Sequence, residues 1–206
     1  MISKLLILIS YKGNFTEKMF EKQIVIDGKQ HLIGRLAAVV AKELLNGQKI
    51  VVVRAEEIIK SGALHRNRMK YTEWLKLKSN TNPRHGGPYH FKAPSKLFWR
   101  VVRGMVRHKT PRGTAALDRL RVYEGVPAPF SHKKRQLVPQ AMRSVMLANG
   151  RKFCKMGDLC ASIGWNKGAL VSSLEEKRSK RAGEWFQRRV RIFYEIRFTK
   201  NQNILR

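Results

Sequence analysis

The chain has 206 residues, 43 of them Lys or Arg and 14 Asp or Glu, for a formal charge of +29. With 43% apolar residues and four Trp there is material for a packed core, which excludes wholesale disorder, and no apolar run reaches the 18 or so residues of a membrane-spanning helix. A charge this large and of one sign repels itself in a compact fold unless a polyanion neutralises it, and nucleic acid is the polyanion expected.

In chain order, residues 1–22 contain a continuous apolar stretch only at 5–9, too short for the core of a signal peptide, and are expected to form a poorly ordered leader. The first third reads as a strand–helix–strand unit. Residues 24–26 (IVI) predict a strand, with Gly28 in the turn after it. Residues 33–45 carry helical apolar spacing closed by Asn46-Gly47, and the β-branched run at 50–53 predicts a parallel strand buried on both faces. Helices are predicted around 62–78, 95–107 and 114–120, with a strand at 121–123. The tail is helical by pattern from Lys167 to Arg191, and residues 192–206 show no clear period. The class expected is α/β, a three-layer α/β/α fold on a mostly parallel central sheet of about four strands, with basic loops and a C-terminal helical extension. The division expected is a leader at 1–22, an α/β core at 23–150 and a basic, largely helical extension at 151–206.

The charge is unevenly spread. No acid occurs between Glu73 and Asp118, a span with ten Lys and Arg, and a second acid-free span from Gly125 to Gly157 holds seven more. A solvated surface mixes its signs, so these spans point to a bound polyanion. On the predicted helix at 95–107, Lys96, Arg100, Arg103 and Arg107 fall within an arc of about 60° opposite Leu97, Phe98, Val101, Val102 and Met105. Four like charges at this spacing repel, and with no acid between them the face is expected to track a phosphate backbone. The loops at 80–94 and 125–138, the second with the run His132-Lys133-Lys134-Arg135, are too polar and too long to be simple turns. In the first, Tyr89, His90 and Phe91, with Trp99 beyond it, alternate with Arg84, Lys92 and Arg100, a pattern that suits stacking on unpaired bases. Phe98, on the apolar helix face, is expected in the core, whereas His85 and His90 are contact candidates. The tail repeats the device, with Ala182, Phe186, Val190 and Phe193 opposite Lys177, Lys180, Arg181, Arg188 and Arg191, a pattern open to RNA, a neighbouring protein or a membrane surface.

Chemistry beyond binding finds little support in the sequence. Cys154 and Cys160 make no disulfide framework, and their spacing is not that of a zinc knuckle. No metalloprotease motif, nucleophile elbow or carboxylate cluster is present, and the turn from Asp27 to Gly34 lacks the glycine pattern of a nucleotide site. No catalytic residue, metal or cofactor is expected, and Gly34 is assigned to close helix–sheet packing or to a helix N-terminus facing a phosphate.

The stretch VIDGKQHLIGRLAAVVAKELLNGQKIVVVRAEEI at 25–58 resembles the universal large-subunit ribosomal protein L-thirteen family in its eukaryotic cytosolic form. So do GPYHFKAPSKLFWRVVRGMVRHKTPRGTAALDRLRVYEGVPAPF at 87–130, SHKKRQLVPQAM, and GWNKGALVSSLEEKR to Arg178, in collinear order over roughly 24–190. The resemblance implies a non-enzymatic constituent of the large (60S) subunit that binds large-subunit rRNA, contacts neighbouring large-subunit proteins and supports assembly and translation. It implies no membrane, no small-molecule substrate and no homo-oligomer, with cytoplasmic ribosomes as the site of action and the nucleolus as the site of assembly. Its implied RNA contacts are Arg35, Arg66, Arg68, Lys70, Arg84, Lys92, Lys96, Arg100, Arg103, His108, Lys109, Arg112, Lys133, Lys134 and Arg135, to which the residue patterns above add His85 and Arg107. The loop at 84–87 is one residue longer than the family pattern, Arg107 replaces a small residue or proline, and the ends before Met19 and after Val190 depart from it. A free regulatory RNA-binding protein and an RNA-processing enzyme using His85 or His108 are the alternatives.

Overall fold

A computed structural model describes residues 21–204 other than 83, 85 and 86, so residues 1–20 of the expected leader lie outside the described residues. Strand β1 (Ile24–Asp27) pairs in parallel with β2 (Ile50–Val53), Ile24 opposite Ile50, and helix α1 (Ile33–Asn46) connects them. Leu36, Ala37, Val40, Ala41 and Leu44 recur every three or four residues and are buried, which is the stripe the periodicity predicts. The helix ends at Gly47, whose N–H closes onto the carbonyls of Glu43 and Leu44. Strand β4 (Leu120–Val122) adds in parallel to β2, giving the order β1-β2-β4.

All four residues of β2 are buried and serve two faces. Ile50 and Val52 join the main core under α1, while Val51 and Val53, with Val25, meet Tyr123, Val126 and Phe130 on the other side. The α/β class and the parallel sheet are as expected, with three strands in the central sheet. The place beside β1 where a fourth strand would lie is taken by the single residue Gln136, which exchanges backbone hydrogen bonds with Val25 and Asp27.

Around the sheet stand α2 (Leu64–Leu75), α3 (Pro94–Met105), α4 (Pro111–Asp118) and the short α5 (Ala128–Ser131) and α6 (Arg143–Met146). A separate two-stranded antiparallel ribbon joins β3 (Ile59–Ser61) to β5 (Phe153–Lys155). Helix α7 (Met156–Ser162) follows and supplies Met156, Leu159 and Cys160 to the same core as Phe98 and Val102, so the packed core continues past residue 150. Helix α8 (Gly168–Ile204) closes the described chain. It runs through residues 192–204, which the sequence left unassigned. Ile, Phe and Tyr are middling helix formers, and a helix nucleated upstream propagates through them at one hydrogen bond per residue.

Two glycines are set by contact. A Cβ on Gly28 would lie 2.9 Å from the Val53 carbonyl, whereas nothing lies within 4 Å of one on Gly34. The close approach assigned to Gly34 therefore belongs to Gly28. At Gly113 a Cβ would lie 2.0 Å from the Arg107 carbonyl, so only glycine lets the chain fold back there between α3 and α4.

Buried polar groups fix the ends of the sheet. Asp27, 5% exposed, pairs with Arg54 through two hydrogen bonds, the one from Nε at 2.9 Å, and Arg135 stands 3.9 Å away. Burial raises the Asp27 carboxyl, but the Arg54 guanidinium, the Lys29 N–H and the charge of Arg135 outweigh it and hold it below the ordinary carboxylate value.

His31 is fully buried; its Nδ1 donates to the Lys29 carbonyl (2.9 Å) and its Nε2 accepts from the Val138 N–H (3.0 Å), an arrangement that requires the neutral ring. Burial holds its pKa below the ordinary histidine value. A depressed histidine contributes stability that is complete above its unfolded value of about 6.5 and is lost as pH falls below it. Wild type is therefore expected to lose more melting temperature between pH 7 and pH 5 than His31→Gln does. Parallel pH profiles in thermal denaturation would show this ring idle. The Asp27 pair fails only at more acidic pH, so the two effects separate.

Candidate nucleic-acid interface

Helix α3 presents the basic face only in part. Phe98 and Val102 are fully buried, and on the opposite side Lys96 is exposed and Arg103 half-buried. Arg100 is engaged within the protein, its guanidinium 3.6 Å from the centre of the Trp74 ring. Burial pushes its pKa down, while Tyr71 opposes the shift. The row of four projecting cations read from the helical period is therefore corrected. Arg107 lies beyond the helix, which stops at Met105 as Val106 turns extended (φ −116°) to bury its β-branched side chain. Arg107 is exposed on the following turn, where its carbonyl accepts from the N–H and the hydroxyl of Thr110. That turn carries half-buried His108 and exposed Lys109 into α4, where Arg112 is exposed in the first turn.

On α2, Asn67 and Tyr71 are the buried pair at i, i+4, leaving Arg66, Arg68 and Lys70 exposed. Asn67 donates to the carbonyls of Ser61, Gly62 and Ala63 and so ties the start of α2 to the end of β3. Arg35 is exposed on the first turn of α1, Arg84 on the loop after α2, and Lys92 just before α3. His85 lies outside the described residues. In the second loop Lys134 is exposed. Lys133 donates to Gln23 (3.1 Å) and lies 5.3 Å over the Phe130 ring, while Arg135 is half-buried toward Asp27. The cations expected from the sequence and the resemblance thus stand exposed on six separate segments, together with two, Arg100 and Arg135, whose charge is spent largely inside the protein.

The N-terminus of α3 is already occupied by an anion. Glu124 accepts from the Ser95 hydroxyl at 2.6 Å and from the Ser95 N–H at 3.2 Å, complementing the positive end of the helix dipole. Cys160, buried and close to Glu124, has its thiol pushed up to about 12 by burial, and Cys154 is also raised, so both thiols are neutral. Among the described residues no group of three His, Cys, Asp or Glu is placed to hold a metal ion.

The sequence reading missed a cleft of about 820 Å³ between the core and α8, lined among others by Lys29, Arg54, Arg143, Lys155 and Arg178 together with Glu57 and Glu175. Glu175 receives a hydrogen bond from Arg178 Nε (2.8 Å) and stands 3.7 Å from Arg54, which anchors the first turns of α8 to the end of β2. Beyond Lys180 the described side chains of α8 are exposed, half-buried Val190 excepted, and a helix of 37 residues is about 55 Å long. At 100° per residue Trp185 falls between the basic arc and the apolar stripe, about 40° from Arg181 and about 60° from Ala182, and Arg189 lies 5.0 Å over its ring.

The sequence profile of a family described as "Ribosomal protein L13" matches residues 21–129. The chain is 54% identical over 173 residues to "Large ribosomal subunit protein uL13" of Tetrahymena thermophila, covering 84% of this chain and 87% of that protein. It is 50% identical over 171 residues to the protein of the same description from Lupinus luteus, covering 83% and 82%.

Proposed function

The chain belongs to the ribosomal protein L13 family, and on that premise we propose that it is a structural constituent of the large subunit of cytoplasmic ribosomes, added during nucleolar assembly and holding folded rRNA without catalysis. The observation that carries this reading is the acid-free span between Glu73 and Asp118, eight of whose ten cations stand exposed, on the loop from Lys76 to Lys92, on α3 at Lys96, on the turn at 106–110 and on α4 at Arg112. Exposed cations in this density repel one another in water and are relieved by phosphates, whose bound counterions are released in exchange.

In this account Arg35, Arg66, Arg68, Lys70, Arg84, Lys92, Lys96, Arg103, Arg107, His108, Lys109, Arg112, Lys133 and Lys134 contact rRNA phosphates, while Arg100 and Arg135 act mainly by holding the elements that present them. The family relation and the length of α8 support neighbouring large-subunit proteins as further partners of the tail. We further propose that the packed α/β core is the rRNA-binding unit and α8 the extension.

The affinity of the purified chain for large-subunit rRNA is the test. With about eight phosphates neutralised, log K is expected to fall by roughly 6 to 7 per decade of salt. An affinity indifferent to salt would contradict a phosphate-binding role.

A further inference from the structure

Tyr89 is 82% exposed, the most exposed of the large apolar and aromatic side chains among the described residues, yet its mount is firmly held. The next residue, His90, turns inward, its ring 4.3 Å from that of Trp74 and its Nε2 3.3 Å from the Leu77 carbonyl. The carbonyl of Phe91 accepts from the hydroxyl of buried Tyr71, and the Phe91 ring meets Trp99 edge-on at 6.5 Å. With His90 and the Phe91 backbone fixed to α2, the rings of Tyr89 and Phe91 are left side by side, 6.4 Å between centres and 21° from parallel. Lys96 stands 6.0 Å from the centre of the Phe91 ring, and Lys92 is exposed next along the chain.

An exposed aromatic ring on a fixed backbone, beside two cations and within an acid-free span, has the components of a single-strand site: a face for a base and charge for its phosphates. The stacked bases of a duplex offer no face to such a ring. We propose that Tyr89 and Phe91 form a stacking site for one unpaired nucleobase of RNA, with Lys92 and Lys96 on the adjoining phosphates. The inference rests on the rRNA-binding reading above and specifies what that surface selects.

The experiment uses the full chain and an RNA hairpin carrying a single-nucleotide bulge of 2-aminopurine, with the same hairpin lacking the bulge as control. Wild type is expected to quench the 2-aminopurine and to bind the bulged hairpin more tightly. Tyr89→Ala is expected to abolish the quenching and to weaken binding of the bulged hairpin about tenfold, with little effect on the control. Tyr89→Phe should behave as wild type, because the ring and not the hydroxyl does the stacking. Equal loss on both RNAs, or no loss on either, would overturn the stacking site while leaving phosphate binding in place. Failure of wild type to bind any of these RNAs would overturn the rRNA reading and this proposal with it. A side chain so exposed contributes little to the core, so the melting temperature of each variant is expected to match wild type.

Discussion

Changing Arg103, Arg107, Lys109 and Arg112 together to Gln is expected to weaken rRNA binding by roughly two to three orders of magnitude at physiological salt. The salt slope of log K should become shallower by about 3, since each lost phosphate contact removes 0.7 to 0.9 from it. These four follow one another from the end of α3 through the turn into α4; Arg103 is half-buried and the other three are exposed. Arg100 is left out of the set because its guanidinium rests on Trp74. Removing it would disturb the packing of α3 on α2 and confuse a fold defect with a binding defect. The melting curve of the four-site variant is expected to equal or exceed that of wild type, because like charges are being removed. Filter binding over a salt series, with circular dichroism as the control, measures both. An unchanged slope would show that this turn does not meet phosphate.

Val52→Asp should act in the opposite manner, on the fold and not on the surface. Val52 is fully buried in the middle strand, between Ile26 on β1 and Val122 on β4, and belongs to the main core. A carboxylate there has only apolar neighbours on its face of the sheet. The cost is on the order of 4 kcal/mol, whether taken as a buried unpaired charge or as a protonated group without partners. For a chain of this size that corresponds to roughly 10 °C or more of melting temperature. Thermal denaturation followed in the far and near ultraviolet would register it. A variant melting with wild type would contradict the placement of β2 inside the sheet.

Elements whose signal is local were legible in the sequence. The strand–helix–strand unit from Ile24 to Val53 could be read because its helix carries a clean apolar stripe and its second strand is β-branched throughout, as suits burial on both faces. Phe98 and Val102 were placed in the core by the same periodicity. Long-range partners were not legible. Strands β3 and β5 have three residues each and pair across more than 90 positions, and neither is long enough to show a period. The stop of α3 at Met105 follows from the burial of Val106 and from the fold-back at Gly113, both tertiary events.

The candidate site divides along the same line. Composition and charge spacing found the cations, because a run of basic residues without acids is visible at any conformation. Which of them remain free for a ligand depends on neighbours distant in sequence: Trp74 for Arg100, and Asp27 for Arg135. The inward turn of His90, which leaves Tyr89 outside, likewise depends on Trp74 and the Leu77 carbonyl.

The central claim is that the chain is an integral part of the large ribosomal subunit, held there by its basic surface. Its most direct test is a sucrose-gradient profile of lysate from cells expressing the tagged chain, immunoblotted before and after a moderate-salt wash. The account predicts co-sedimentation with large subunits and polysomes that persists through the wash. A signal confined to the top of the gradient would contradict it, and the exposed cations of α2 to α4 would then require a different polyanion.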